Sequence, residues 1–446
     1  MATERRHRRS RRNRSKKNRE EARPDGPTSV HDVPDHLLEL VLLRLDSSAT
    51  LLRAAAACKL WRRIITGSTG FLTRFRSLHA PCVAGHYHAY DPDWVEYGVP
   101  PITGSPVFVP SSSSSTAVVD SRRFSLDFLP ESDSGWAIAD SRGSLLLLFR
   151  KRTGWAERAR ESFYFPDLVV CDPLTRRYQG ILRESHYSNG VFLLDGDGSG
   201  GHRIINMSNF RVVAVDSYYF ETEPEGFKPV ACVFTPGSDG GWRDLPTAST
   251  NSDAITLPGS TDTFAGRANG SLYWVTGEDG AMLALDQATT QFSLVTFPGA
   301  GADACFGGSL DKWSVRVIGG EDGALRVVRM VNSNLTIFVR HRDSEDLVVE
   351  KCLRLPDAAI RLPGCEDYNY FLRNAMIAAA HDTYILVTPQ EKTCLFSVEL
   401  DTMEVEFEHE RNKYPGTAYP CELPWPPSLE ACSDRGRDTQ QKQFVY

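Results

Sequence analysis

Four residues near position 80 have side chains of the types that bind zinc in proteins. His79, Cys82, His86 and His88 lie within ten residues, and their gaps could in principle close a tetrahedral site. A zinc finger, however, needs a second pair of Cys or His ligands at a characteristic spacing, and no such pair follows. We therefore interpret the segment as a loop with scattered histidines and expect no metal site there.

A glycine-rich run, Asp-Gly-Asp-Gly-Ser-Gly-Gly, begins at Asp195. Gly196, Gly198 and Gly201 match the spacing of a dinucleotide-binding fingerprint, but that motif needs a helix next, and the following residues are typical of a strand. The run also begins like a calcium-binding loop, whose twelfth position should be a bidentate Glu but is Asn206. We predict a hairpin loop here and no cofactor.

No catalytic constellation stands out elsewhere in the chain. The sequence has no nucleophile elbow, no paired carboxylates in a recognisable context and no Cys-His signature. Trp136, Trp242, Trp274 and Trp313 could line a ligand-binding face, although large aromatic residues more often belong to a core. The sequence therefore favours a protein that binds rather than one that catalyses.

The composition is that of a globular protein with an uneven charge. The chain has 446 residues, 41% hydrophobic and 24% charged, which is long enough for two or three domains. Its net charge of −7 combines +8 in residues 1–23, from eleven Arg or Lys against three Glu, with −15 in the remainder. The acidic remainder argues against nucleic acid as its ligand. Ten cysteines spread singly favour an intracellular setting, and we expect neither a signal peptide nor a membrane span.

The basic N-terminal segment, residues 1–29, cannot bury a core and is expected to be a disordered tail. A nuclear-localisation signal is an equally good interpretation, and it would comprise Arg5, Arg6, Arg8, Arg9, Arg11, Arg12, Lys16 and Lys17. Weak binding of nucleic acid through residues 1–23 is less favoured. We expect the protein in the nucleus, the cytoplasm or both.

The only long segment with a helical pattern runs from Asp32 to Phe71. Pro34 suits the first turn of a helix, and Ser47 offers an N-cap for a second helical stretch. Seven of the nine residues from 37 to 45 are apolar, so the first helix is hydrophobic nearly all round. A module of about forty residues cannot cover such a helix on every side. The surplus predicts that a partner covers part of it.

At these residues the chain resembles the F-box family, whose pattern opens with Leu-Pro and continues with a Leu-rich helix, Leu-Leu-Arg, Val-Cys and Trp-Arg. The matching residues are Val33-Pro34, Leu37-Leu38, Leu42, Leu45, Leu51-Leu52-Arg53, Cys58, Trp61-Arg62, Ile65 and Phe71. The departures are Val33 for Leu, Thr50 where an acidic residue is common, and Ala57 before the cysteine.

The resemblance implies a three-helix module that docks on the Skp1-like adaptor of a cullin-RING ubiquitin ligase. The residues that it assigns to the Skp1 interface are Pro34, Leu37, Leu38, Val41, Leu42, Leu45, Leu51, Leu52, Cys58 and Trp61. The alternative interpretation is an ordinary helical hairpin that packs on the rest of the chain.

From about Thr116 onward the pattern changes to short apolar strands bounded by turn residues, with thirteen candidate strands between Gly135 and Leu400. A weak repeat places an aspartate in the turn after a strand, at Asp172, Asp286 and Asp401. Many short antiparallel strands with a recurring turn predict a β-propeller, which at this length would have about six or seven blades. A pair of β-sandwiches is the fallback.

We therefore predict an α+β multidomain protein: a small N-terminal three-helix F-box followed by a mostly antiparallel all-β domain, a degenerate β-propeller like those of plant F-box proteins. The expected segments are a disordered basic tail (1–29), the helical module (30–75), a linker or irregular segment (76–115), the β domain (116–425) and a C-terminal tail (426–446).

The expected function is that of a non-catalytic substrate-recognition subunit of an SCF (Skp1-cullin-F-box) ubiquitin ligase, with an unidentified target protein bound by the β domain. The alternative is a ligase-independent nuclear or chromatin-associated adaptor that uses the basic tail.

Overall fold

The fold is that of a computed structural model, which describes residues 33–67, 70–79, 82–88, 106–111, 120–130, 135–150, 168–182, 190–195, 205–219, 227–237, 241–245, 263–276, 281–297, 313–320, 323–344, 346–360, 362, 371, 374–389, 394–409 and 417–423. The chain divides into two compact units, residues 1–78 with 426–446 and residues 79–425. We call the described part of the first the helical unit and the second the β unit. The predicted tails, 1–29 and 426–446, lie outside the described residues, and so does the predicted localisation signal.

The helical unit contains four helices rather than the expected three, and they extend beyond residue 75. They are α1 (Asp35–Leu43), α2 (Ser48–Ala57), α3 (Lys59–Gly67) and α4 (Phe71–Leu78). Cys58 has an extended backbone (φ −137°, ψ 129°), which separates α2 from α3. None of the described helices is long and apolar enough to cross a bilayer.

Local signals set the helix starts. Ser47 is the N-cap of α2, as predicted, because its Oγ accepts a hydrogen bond from the backbone N–H of Thr50 at 3.3 Å. Helix α1 contacts α3 and α4, and α3 also contacts α2 and α4. The four helices thus form one packed bundle.

The β unit contains 23 described strands in antiparallel sheets that follow one another along the chain. We number the sheets 1 to 6. Sheet 1 contains β1 (Val83–His88), β2 (Val107–Pro110) and β23 (Ala418–Glu422). Sheet 2 contains β3 (Trp136–Arg142), β4 (Leu145–Arg150), β5 (Leu168–Asp172) and β6 (Arg177–Ile181). Sheet 3 contains β7 (Gly190–Leu194), β8 (Arg211–Tyr219), β9 (Phe227–Phe234) and β10 (Trp242–Asp244).

The second half of the β unit begins with an eight-stranded sheet that consists of two antiparallel four-stranded halves joined by one parallel bridge, and we number these halves sheets 4 and 5. Sheet 4 contains β11 (Thr263–Ala268), β12 (Ser271–Thr276), β13 (Ala281–Asp286) and β14 (Phe292–Thr296). Sheet 5 contains β15 (Val315–Gly319), β16 (Leu325–Val331), β17 (Asn334–Arg340) and β18 (Val348–Arg354), and is followed by the short helix α5 (Leu355–Ala359). Sheet 6 contains β19 (Ala375–Ala380), β20 (Tyr384–Pro389), β21 (Leu395–Glu399) and β22 (Val405–His409).

Each sheet shares a hydrophobic core with the next, and sheet 6 shares one with sheet 1. The shared cores contain residues of both sheets, for example Tyr87 and Leu146, Leu147 and Leu193, Phe192 and Leu272, Met282 and Val317, Ile337 and Phe396, and Leu386 and Ala418. The sheets therefore form a ring, and the arrangement is β-propeller-like. The last strand, β23, closes the ring because it pairs antiparallel with β1.

The β unit begins earlier in the chain than the expected boundary at residue 116. Strands β1 and β2 lie inside segment 76–115, which the sequence had suggested was a linker. They are short and pair with each other, and β1 becomes the central strand of its sheet because β23 pairs with its other edge. The β unit thus begins well before residue 116, at His79.

Sheets 4 and 5 approach so closely that a glycine is required. Strands β11 and β15 run parallel and are bridged at Gly266 and Val317. A Cβ on Gly266 would lie 2.2 Å from the backbone oxygen of Val317, and the φ of Gly266 is +141°. Any larger side chain would force the two sheets apart.

The predicted aspartate turns are present at two of three positions. Asp172 Oδ1 accepts from the N–H of Leu174, and Asp286 Oδ1 accepts from the N–H of Thr289. In the second hairpin the N–H of Thr290 donates to the carbonyl oxygen of Asp286. In the third hairpin the N–H of Met403 donates in the same way to the carbonyl oxygen of Glu399, so Glu399 occupies the position of the turn aspartate. Asp401 instead pairs with Arg326 at 3.1 Å.

Candidate functional site

Helix α1 exposes three large apolar side chains on one face. Leu37, Leu40 and Val41 are 44%, 51% and 61% exposed, and their spacing of three and four residues places them side by side. Leu38, Leu42 and Leu43 on the other side of the same helix are buried. We call the three exposed residues the α1 apolar face. It is the apolar surplus that the sequence predicted.

The structure divides the predicted Skp1-binding residues into three groups. Exposed residues are Pro34, Leu37 and Val41; buried ones are Leu38, Leu42 and Leu51; partly buried ones are Leu45, Leu52, Cys58 and Trp61. The buried group cannot meet a partner without a change in the helical unit, whereas the exposed and partly buried residues keep surface that a partner can contact. Leu40 was missed, although its position three residues after Leu37 was a readable signal.

The segment that carries this face is basic overall. Residues 33–79 contain seven Arg or Lys against three Asp or Glu. Two of the cations are neutralised, because Arg63 pairs with Asp35 and Arg74 pairs with Glu39, both at 2.8 Å. Arg44, Arg53 and Lys59 are exposed and make no ion pair with the described residues.

The zinc-type residues do not form a metal site among the described residues, which contain no group of three or more His, Cys, Asp or Glu placed to hold an ion. His79 and Cys82 precede β1 and lie outside any helix or strand, as the expected loop or linker would have them, but the other two residues do not. His86 and His88 lie on β1 and are buried, and the Nε2 atom of His86 lies 2.8 Å from the hydroxyl of Tyr384. His86 therefore packs between sheets 1 and 6.

Of the glycine-rich run, only Asp195 lies within the described residues. Its carboxylate binds the guanidinium of Arg142 at 2.8 and 3.4 Å, and its N–H donates to Gln287 Oε1 at 2.8 Å. Asp195 thus links sheet 3 to sheets 2 and 4. Of the tryptophans considered earlier, Trp136 and Trp274 are buried in the cores between sheets.

A cavity of about 280 Å³ lies at the centre of the ring. Its lining comes from β3, β7, β11, β15, β19 and β23, which are the innermost strands of the six sheets. The lining includes three arginines and three carboxylates: Arg142, Arg267, Arg316, Asp140, Asp382 and Glu422. Sequence reasoning did not identify this site.

Several of these charges form hydrogen bonds with backbone groups of the innermost strands. Asp140 Oδ2 accepts from the N–H of Leu193 at 2.7 Å, and Arg267 donates to the Leu193 carbonyl oxygen and to Asp140. Burial raises the pKa of Asp140 more than these hydrogen bonds lower it. Arg316 donates to the carbonyl oxygens of Val315 and Ile377, at 2.7 and 3.2 Å.

Glu422 lies on β23, the strand that closes the ring, and interacts with Arg142 and His381. Its N–H donates to the carbonyl oxygen of Gly143 at 2.9 Å, which ties β23 to sheet 2. Burial alone would raise the pKa of Glu422, but His381 and Arg142 lower it below its ordinary value. The carboxylate is therefore ionised at neutral pH.

Comparisons with known proteins do not identify a family for this chain. No protein-family model matches the chain. No curated protein matches it either. Similar solved structures include YCF48 bound to a D1 peptide, at 11% identity over 70% of this chain and 74% of that one, with a TM-score of 0.33. YCF48 from Cyanidioschyzon merolae is 8% identical over 64% and 76%, with a TM-score of 0.33. AztD from Citrobacter koseri is 13% identical over 65% and 61%, with a TM-score of 0.25. At TM-scores this low, these similarities carry no argument about this chain.

Proposed function

We propose that the protein is a substrate-recognition subunit of an SCF-type ubiquitin ligase. The helical unit binds a Skp1-like adaptor and, through it, a cullin, and the β unit binds a target protein. The chain itself does no chemistry in this proposal. It contributes proximity, because it holds a lysine of the target near the ubiquitin-loaded enzyme.

The α1 apolar face is the observation that carries the proposal. A helix this hydrophobic should be covered on nearly all sides, yet Leu37, Leu40 and Val41 are about half exposed. Leu37 and Val41 belong to the residue pattern that resembles the F-box, and that resemblance assigns them to the adaptor. The exposed face and the motif support the same interface from separate observations.

The exposed cations of the helical unit add a property of the partner. Arg44, Arg53 and Lys59 would be complemented by an acidic adaptor surface. Such charges at the rim of an interface raise the association rate more than the affinity, and their effect is screened by salt.

The β unit suits the second role. In this proposal it is a closed six-bladed propeller, and the loops at the two ends of its sheets select the target. The ring of shared cores supports a rigid platform for such loops, which are where binding residues concentrate in proteins of this kind.

Affinity purification of the full chain from cells, followed by mass spectrometry, tests the proposal. We expect the adaptor, a cullin and a small set of targets with the wild-type chain. A Val41→Asp variant should lose the adaptor and the cullin but retain the targets. Recovery of the same targets without adaptor or cullin from the wild-type chain would favour the ligase-independent adaptor instead.

A further inference from the structure

One end of the central cavity carries more negative than positive charge. We call Arg142, His381, Asp382 and Glu422, which all line the cavity, its acidic end. Asp195 binds Arg142 and so belongs to the same group of charges. Burial lowers the pKa of Arg142, yet the carboxylates of Asp195, Glu422 and Asp382 raise it above its ordinary value. One guanidinium therefore faces three carboxylates, which leaves a formal charge of −2 when His381 is neutral.

His381 provides a second and independent observation. Its side chain is only 6% exposed, and its Nε2 atom has no hydrogen-bond partner among the described residues. Oε1 of Glu422 lies 3.7 Å from this atom, which is within ion-pair range but too long for a hydrogen bond. A buried polar atom without a partner is costly, so native structures rarely leave one. His381 lines the cavity, where a ligand could supply the missing bond.

The chemistry of these groups selects the ligand. An ammonium group has three N–H donors and no acceptor, so it can donate to the carboxylate of Glu422 and to a neutral His381 Nε2 together. An anion would be repelled by the net negative charge of the acidic end. A metal ion is not favoured, because the described residues contain no suitably placed set of ligands.

The remaining lining limits the size of the ligand. Ala378, Ala379, Ala380 and Ala418 form the wall beside the acidic end, so room there comes from small side chains. The volume of about 280 Å³ is below that of most sites for drug-sized molecules. Only a short side chain or a small molecule fits.

We propose that the acidic end of the cavity binds a primary ammonium group, supplied by a small amine or by a lysine side chain of a bound protein. The site is separate from the α1 apolar face, so the proposal stands or falls independently of the adaptor.

Ligand-observed NMR on the full chain at neutral pH tests the head group. The probes share one carbon chain: n-butylammonium, 1-butanol, butyrate and butyltrimethylammonium, the last of which is a cation without an N–H donor. We expect n-butylammonium to bind with a Kd on the order of 1–10 mM, as suits so few atoms, and the others at least about tenfold more weakly. Equal binding of butanol or butyrate, or no saturable binding of n-butylammonium at tenfold that Kd, would overturn the proposal.

Variants then locate the site. Glu422→Gln should raise the Kd of n-butylammonium at least about tenfold, because the substitution removes the charge but keeps the shape of the side chain. Glu406→Gln is the matched control, since Glu406 is exposed on β22 and the change in net charge is the same. Asp382→Asn changes an exposed carboxylate and gives a second reading if Glu422→Gln fails to fold. Unchanged binding in every folded variant refutes the assignment.

A final pair of probes separates the two sources. Nα-acetyl-lysine methylamide should compete with n-butylammonium if a protein side chain can enter, and its Nε-acetylated form should not. If n-butylammonium binds and Nα-acetyl-lysine methylamide does not compete with it, the natural ligand is a free amine. Equal competition by the acetylated form would contradict the role of the charged head group.

Discussion

The exposed face of α1 allows partner binding to be separated from folding by one substitution. Val41 is 61% exposed, whereas Leu42 beside it is only 3% exposed. A Val41→Asp change therefore places its carboxylate in water in the isolated protein. In a complex that covers this face, the same carboxylate would be buried among apolar side chains.

The expected magnitude follows from these exposures. Full burial of a valine side chain is worth about 1.5–3 kcal/mol, so covering the exposed part of Val41 contributes roughly 1–2 kcal/mol. Burying an unpaired carboxylate costs several kcal/mol more. Together they predict a rise in Kd of at least about a hundredfold. The free energy of unfolding should fall by no more than about 1 kcal/mol, mainly because a negative charge sits in the last turn of the helix.

Isothermal titration of a purified Skp1-like adaptor into the full chain measures the effect. Val349→Asp on β18 is the matched control, because Val349 is 53% exposed and receives the same chemical change. The reasoning is refuted if Val41→Asp binds as tightly as the wild type, or if the control loses binding equally. Leu42→Asp is unsuitable for this purpose, since it would bury a charge within the helical unit and unfold it.

Four further outcomes can be measured. Gly266→Ala should lower the free energy of unfolding by at least about 2 kcal/mol in urea titrations, because its Cβ would meet the backbone of Val317, whereas Gly319→Ala should change it little. Glu422 has a folded pKa below its unfolded one, so its contribution is present above that unfolded pKa and is lost as pH falls through the folded value; unfolding curves of wild type and Glu422→Gln should differ at pH 7 and converge in acid. Deleting residues 1–23 should leave the melting temperature unchanged and move the protein toward the cytoplasm, and an unchanged nuclear fraction would remove the import hypothesis. Raising the salt concentration should slow adaptor association far more than dissociation; an unchanged association rate would contradict the electrostatic role of the exposed cations of the helical unit.

Local patterns were enough to predict most strands. The apolar runs at Leu145 and Leu168, for instance, both begin strands, because a continuous apolar run between turn residues suits a sheet covered on both faces. Strands β1 and β2 were missed for a different reason. Val-Ala-Gly-His-Tyr-His has no clear alternation, and it is a strand because β23, near the end of the described chain, pairs with it. A pairing that depends on such a distant segment leaves little trace in the local sequence.

The α1 apolar face and the acidic end of the cavity also differ in how far the local sequence predicts them. The apolar surplus of α1 is local, so its existence was predictable, but which leucines face inward depends on the packing of α3 and α4. The acidic end of the cavity had no local signal at all. Arg142, Asp195, His381 and Glu422 come from four different sheets and meet only when the ring closes.

Sedimentation velocity of the full chain with a purified Skp1-like adaptor tests the central claim most directly. The proposed function predicts a single faster-sedimenting species with one copy of each protein, and its loss in the Val41→Asp variant but not in Val349→Asp. Two proteins that sediment independently at micromolar concentration, with the wild-type chain folded, would contradict it.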